Sequence, residues 1–244
     1  MAVGDFFFTP LVLFIVPKHC HDEFFVNFNF FHVACLKIAL SKCLGYIIVV
    51  LAPIIKFPQI IKVLRASSVE GLSLMGFVTE LATQTGTYSY NSARGFPFST
   101  WGESLFKACQ TCFLVVLYFY YTKRPVAAIL FPFLYGAIAY VLLSGLAPMS
   151  FLVQLASLNI PLLSISRVSQ ITTNFRNGHT GQLSFIMVLL LLFTHAARIF
   201  TTMQETGDKY MLAIFTLSTV FNKKMVTQIL YYWNATTDAQ KKKE

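Results

Sequence analysis

Long apolar runs alternate with short polar breaks along the chain. Crossing the hydrocarbon core of a bilayer takes roughly 20 mostly apolar residues in a helix. Seven runs approach that length, at about 39–61, 72–90, 100–120, 126–143, 149–171, 183–202 and 211–233. The breaks hold Gly, Pro, Ser and charged residues, which are typical of turns. The pattern therefore predicts an all-α polytopic membrane protein with seven transmembrane helices.

Composition supports the bilayer as the solvent. Hydrophobic residues make up 56% of the 244 residues, charged residues 12%, and the mean hydropathy is +0.63. A soluble domain carries about twice that charged share, so an ordinary soluble enzyme and a disordered tail are excluded. The net charge of +9 is spread over the breaks, which favours membrane orientation over nucleic-acid binding. The five cysteines are odd in number and mostly in apolar surroundings, which argues against a disulfide framework.

The distribution of Lys and Arg predicts the orientation. Basic residues are denser in the breaks after the first, third and fifth helices and in the tail, which places the C-terminus in the cytosol and the N-terminus in a lumen. Residues 6–16 lack a preceding basic residue and are expected to form an uncleaved interfacial segment. Lys241 and Lys242 fit a cytosolic dilysine retrieval signal, the alternative being a basic tail beside anionic lipid.

The chain shows signs of an internal duplication. Gln59 and Gln170 are 111 positions apart, and Arg65 with Arg176 repeats the offset. Three helices reverse the side of the membrane, so a second three-helix unit is parallel to the first only if one helix links them. The predicted organisation is an N-terminal lumenal or interfacial segment 1–36, a first repeat 37–122, a linker helix 123–148, a second repeat 149–233 and a cytosolic tail 234–244.

The first and fifth predicted helices carry candidate hinges. Pro58 removes a helical hydrogen bond and is expected to kink its helix, placing Gln59 where it binds a ligand or a neighbouring helix. Ser169 and Gln170 hold the corresponding place in the second repeat, where Pro161 is an alternative hinge. The alternative for the first pair is structural: Pro58 shapes the helix and Gln59 joins it to its neighbour.

Polar residues within the apolar runs are the candidates for chemistry. They are Glu80, Gln84, Asn159, His195 and Arg198. A charge at mid-membrane costs about 2.5–3.5 kcal/mol on insertion scales, so each should face the interior and be paired. We expect Glu80 to pair with Lys56 or Arg198.

Two lysines near the middle of the last predicted helix need a separate explanation. One hypothesis is that Lys223 or Lys224, together with Arg198, contacts a lipid phosphate; the alternative is snorkelling or a break in the helix. Glu103 and Lys107 are spaced for a weak helix-end ion pair. Neither Cys109 with Cys112 nor the His19–His21 stretch completes a metal site, and no nucleophile–base pair indicates an enzyme or a cofactor.

Two motifs at the ends of the first and fifth helices resemble a known family. Pro58-Gln59 is followed by Ser67-Ser68-Val69-Glu70-Gly71-Leu72-Ser73, and Ser169-Gln170 by His179-Thr180-Gly181-Gln182-Leu183-Ser184. The chain thus resembles the PQ-loop family, although Ser169 stands where the family has Pro. The resemblance implies two parallel three-helix bundles joined by a linker helix, the PQ-loop/SWEET-like fold.

Longer strings resemble one branch of that family, the mannose-phosphate-dolichol utilisation defect branch. They span 35–42, 70–74, 96–103, 177–184, 197–201 and 204–208. The resemblance implies a protein of the endoplasmic reticulum membrane needed to use dolichol-phosphate-mannose and dolichol-phosphate-glucose in N-glycosylation and GPI-anchor synthesis. It implies membrane lipids and dolichol-phosphate sugars as partners. A transporter of a small soluble solute, such as a sugar or an amino acid, and an accessory that holds glycosyltransferases are the alternatives.

Overall fold

The described part of the chain is built from helices. The computed structural model describes Leu13 and residues 16–69, 72–180 and 185–235. The helices in these ranges are α1 (Lys18–Phe25), α2 (Val33–Ala66), α3 (Leu74–Ala93), α4 (Phe98–Tyr121), α5 (Pro125–Leu143), α6 (Met149–Ser157), α7 (Asn159–Asn177), α8 (Phe185–Glu205) and α9 (Lys209–Tyr231). Lys241 and Lys242 lie outside the described residues.

Five segments in the described ranges are long and apolar enough to cross a membrane. They are α2, α4, α5, the pair α6–α7 and α8. The two remaining long helices, α3 and α9, have 20 and 23 residues, but α3 carries a stripe of polar side chains. The all-helical membrane fold is therefore confirmed, and the count of seven spans stays a prediction.

Helix boundaries repeat at the offset found in the sequence. Helices α2 and α7 end at 66 and 177, α3 and α8 begin at 74 and 185, and α4 and α9 begin at 98 and 209, each pair 111 residues apart. In both triplets the third helix packs on the other two, α4 on α2 and α3, and α9 on α7 and α8. Ser67 and Gly178, which end α2 and α7, both adopt the left-handed conformation. The two halves of the chain thus share one local architecture.

The two predicted hinges behave differently. Helix α2 continues through Pro53 and Pro58 to Ala66. The predicted fifth helix instead breaks at Leu158, three residues before Pro161, because proline cannot donate to the carbonyl of Ser157. The helix of the second half is therefore interrupted near Pro161, whereas Ser169 lies within α7, and which residues act as hinges stays a prediction.

A disulfide joins Cys20 of α1 to Cys35 at the start of α2, with the two Cα atoms 5.2 Å apart. The expectation against disulfides is wrong for this pair, because both residues precede the first apolar run and α1 folds back onto α2. Val16 and Phe24 are buried with the two cysteines. His19 lies 3.1 Å from the Cys20 sulfur, but sulfurs in a disulfide offer a metal no thiolate.

The disulfide predicts the count of reactive thiols. In denaturant without reductant, a maleimide should label three cysteines, Cys43, Cys109 and Cys112, and after reduction all five. Closing a loop of about 15 residues stabilises the fold by about 3 kcal/mol on the chain-entropy model, so Cys35→Ser should lower the unfolding midpoint. Cys43→Ser, the control, should remove one label under both conditions. Five labels without reduction would show that the bond is absent.

Candidate functional site

A cavity of about 710 Å³ lies between α3, α4, α7, α8 and α9, so it is shared by the two halves of the chain. On α3, the side chains of Glu80, Thr83, Gln84 and Thr87 line it. Their spacing places them on one face of the helix. This polar face explains why α3 is too polar to count as a membrane span by composition alone.

Four of the candidate residues meet in this cavity. Glu80, Gln84, Asn159 and His195 contribute to its lining. Asn159 is 8% exposed and donates to the Thr87 hydroxyl at 2.8 Å, which connects α7 to α3. Its Oδ1 atom has no hydrogen-bond partner in the described part of the chain.

The hinge candidates lie outside the cavity lining. Pro58 borders a shallow surface hollow with Lys62 and Arg65, and Gln59 is half-buried. Ser169 is exposed, and the Gln170 side chain accepts a hydrogen bond from Arg167 at 3.5 Å. A direct role of these four residues in binding therefore stays a prediction.

Glu80 forms the expected ion pair. Its Oε2 atom lies 2.6 Å from Nζ of Lys56 on α2. Lys56 also donates to the Thr111 hydroxyl on α4 at 2.6 Å. The pair and this hydrogen bond connect the three helices of the first half through one buried ammonium group. Of the two bases proposed for Glu80, Lys56 is the one it binds.

Arg198 binds a different acid, Glu103, which sequence analysis undervalued. Nε of Arg198 lies 3.3 Å from Glu103 Oε1, and Nζ of Lys107 lies 3.6 Å from Oε2. Arg198 is 2% exposed and donates to the Ser99 carbonyl at 2.8 Å. Glu103 is thus the carboxylate shared by two cations across α4 and α8. The signal was present in the sequence, since Glu103 is an acid inside an apolar run, as Glu80 is.

Lys223 and Lys224 do not join Arg198. Both side chains are exposed on α9 and neither lines the cavity, whereas the neighbouring Asn222 and Met225 are buried. A phosphate contact of these lysines therefore stays a prediction, and the lysine and arginine side chains that line the cavity are Lys107 and Arg167.

The cavity's two walls coincide with two matches to one family model. The PQ loop repeat model matches residues 40–100 and residues 150–211, about half of the chain. The chain belongs to the PQ-loop family. It is also similar to human Solute carrier family 66 member 3, with 28% identity over 182 residues that cover 73% of this chain and 87% of that protein. No solved structure matches the chain.

The two PQ-loop repeats are joined by polar contacts at one end of the cavity. We call this end the disulfide face, since it is where α1 and the Cys20–Cys35 bond lie. The Glu205 carboxylate of the second repeat accepts from Ser41 at 2.8 Å and Ser99 at 2.7 Å, and it pairs with Lys42 at 3.0 Å. These contacts connect α8 to α2 and α4.

A second set of contacts closes the same face. The Tyr90 hydroxyl donates to Asp208 at 2.8 Å, and Arg94 lies 3.8 Å from the same carboxylate. At Gly86 a Cβ atom would lie 2.9 Å from the Leu155 carbonyl, so α3 and α6 approach as closely as glycine allows.

The opposite end of the cavity lies at the start of α3. The lining there includes Ser73, Met75 and Gly76 at the start of α3, and Met75 is 73% exposed. We call this end the tail face, since α9 ends there at Tyr231. Among the described residues, the disulfide face of the cavity is thus closed by polar contacts between the two repeats.

The Lys56–Glu80 pair predicts a specific pattern of stability. Glu80→Gln leaves the buried Lys56 without its counter-charge, and the free energy of unfolding in detergent should fall by about 1–3 kcal/mol, less than for a fully buried pair because Glu80 partly faces the cavity. The double variant Lys56→Met/Glu80→Met should recover most of the loss. Glu23→Gln on α1, which removes an acid whose hydrogen-bond partners Asn27 and Asn29 are neutral, is the matched control. Equal stability of Glu80→Gln and the wild type would show that the pair is not required.

Proposed function

We propose that the cavity binds the polar headgroup of dolichol-phosphate-mannose and dolichol-phosphate-glucose, so that these glycolipids are used in N-glycosylation and GPI-anchor synthesis at the endoplasmic reticulum. The observation that carries the proposal is the charge of the cavity and its walls. Glu80 and Glu103 line the cavity together with Lys107 and Arg167, and Lys56 and Arg198, which lie outside the lining, pair with the two carboxylates. The excess of positive charge suits a phosphodiester.

The branch-specific strings support this assignment because they include the residues that close the cavity. Glu205 and Asp208 belong to the string at 204–208, Ser99 and Glu103 to that at 96–103, and Lys42 ends that at 35–42. The resemblance to the dolichol branch therefore includes the charged groups that surround the site.

In the proposed arrangement seven segments cross the membrane. Helices α2, α3 and α4 form one three-helix bundle, the span α6–α7 with α8 and α9 forms a second, parallel one, and α5 is the linker. Helices α3 and α9 are long enough to span at 1.5 Å per residue, and the polar face of α3 is turned to the cavity. The headgroup would enter this cavity while the polyprenyl chain stays in lipid. The chain binds or moves the glycolipid in this proposal, and glycosyltransferases make and break the bonds.

The proposed orientation places the disulfide face in the lumen. Disulfides form and persist in oxidising compartments such as the lumen of the endoplasmic reticulum, and the Lys and Arg bias independently assigns the C-terminus to the cytosol. The tail face of the cavity then lies on the cytosolic side. Opening of the Glu205 and Asp208 contacts would expose the same cavity to the lumen.

Transport of a small soluble solute is the second candidate function. It is favoured by the similarity to a human protein named as a solute carrier, and by a cavity whose polar lining is closed at one face. Uptake of a sugar or an amino acid by vesicles that contain the purified chain would favour this function over the dolichol one.

Rescue of a cell that cannot use dolichol-phosphate-mannose tests the proposal. The wild-type chain should restore glycosylation of a reporter and the surface level of a GPI-anchored protein. Gln84→Ala and Asn159→Ala should each lower rescue about 2- to 10-fold, as expected when one hydrogen bond to a ligand is lost. Pro58→Ala and Gln59→Ala, outside the cavity lining, should lower it less. A wild-type chain that reaches the endoplasmic reticulum and restores neither readout would contradict the dolichol function.

A further inference from the structure

The two PQ-loop repeats place a cation at the same position. Lys56 on α2 and Arg167 on α7 are 111 residues apart, the offset that relates the helix boundaries. The third helices follow the same rule: Thr111 on α4 corresponds to Asn222 on α9, and both are fully buried. Arg167 is therefore the second-repeat counterpart of the lysine that holds the first repeat together.

The partners of the two cations differ. Lys56 is neutralised by Glu80 at 2.6 Å. The position equivalent to Glu80 in the second repeat is Leu191, whose backbone carbonyl accepts from Nδ1 of His195 at 2.6 Å. Substitution of an acid by leucine leaves the second repeat without the internal counter-charge of the first.

Arg167 consequently has only neutral partners within the described ranges. Its Nη1 atom lies 3.5 Å from Oε1 of Gln170 and 3.7 Å from the Met225 sulfur, both long for a guanidinium hydrogen bond. A cation in a membrane interior is costly unless an anion or water compensates it. Among the described residues, the structure thus places at the wall of the cavity a guanidinium that no carboxylate neutralises.

The surroundings of Arg167 suit a phosphate. Lys107 and His195 line the same cavity, and the two carboxylates of its lining, Glu80 and Glu103, already have cationic partners. The planar guanidinium offers donors in a fork that matches two phosphate oxygens. Asn159 of the same helix also lines the cavity, and its Oδ1, which is buried without a partner among the described residues, can accept from a sugar hydroxyl once the amide turns toward the cavity.

We infer that Arg167 binds the phosphate group of the ligand. The phosphate would neutralise Arg167 in the second repeat as the Glu80 carboxylate neutralises Lys56 in the first. This inference rests on the proposed function for the identity of the glycolipid. The phosphate has two sources to distinguish, the phosphodiester of a dolichol-linked sugar and a soluble sugar phosphate.

The test measures binding of dolichol-phosphate-mannose and, separately, of mannose 1-phosphate to the full chain in nanodiscs. Arg167→Gln should weaken binding about 10- to 100-fold, the effect of losing one charged hydrogen bond. Arg167→Lys should weaken it less. Leu191→Glu should also weaken binding, because the new carboxylate, at the position equivalent to Glu80, would neutralise Arg167 in place of the phosphate.

Two controls separate this site from general basic charge. Arg176→Gln removes an exposed arginine at the end of the same helix, and Lys223→Gln with Lys224→Gln removes the two exposed lysines of α9. Both controls should bind as the wild type does. The unfolding midpoint of each variant identifies any that fails to fold. Leu191→Glu tests the charge of Arg167 without removing its side chain.

The outcomes distinguish the inference from the function on which it rests. Glycolipid binding that is unchanged in Arg167→Gln overturns the role of Arg167 and leaves the dolichol function standing. Binding of mannose 1-phosphate alone, dependent on Arg167, supports the inference and overturns the dolichol function. A folded wild-type chain that binds neither probe overturns both.

Discussion

A charge inside hydrocarbon must be paired or hydrated, and this constraint determines how the helices are joined. Apolar side chains give little net preference for one neighbouring helix over lipid, so polar contacts decide which helices meet. Lys56 connects α2 to α3 and α4 through Glu80 and Thr111. Glu103 and Glu205 connect the first repeat to α8. The same groups that hold the bundle together therefore define its polar interior.

The internal duplication relates the proposed phosphate site to the ion pair that stabilises the first repeat. Both repeats use the same helix boundaries, and each places a cation at the same point on its first helix. In the first repeat an internal acid satisfies the cation, whereas in the second repeat leucine stands in the acid's place. Two repeats with similar helix boundaries thus enclose an asymmetric charge distribution. The proposed anion site lies at the cation of the second repeat, Arg167.

Hydropathy and repetition made much of the fold predictable. The seven apolar runs correspond to the long helices, the offset of 111 recurs in their boundaries, and the cost of a lone acid predicted that Glu80 would pair. The disulfide was missed because it depends on α1 folding back onto α2, which local pattern does not encode. Glu103 was undervalued because its partner, Arg198, is distant in sequence. Gln59 lies outside the cavity lining, because the motif marks a helix without showing which face meets the cavity.

An experimental structure of the full chain with dolichol-phosphate-mannose in nanodiscs is the most direct test of whether Arg167 binds the phosphate of the glycolipid. We expect the phosphate to lie within hydrogen-bond distance of the Arg167 guanidinium, with the sugar in the cavity between the two repeats and the polyprenyl chain in lipid. A glycolipid bound elsewhere on a folded chain, with Arg167 neutralised by a protein carboxylate, would contradict it.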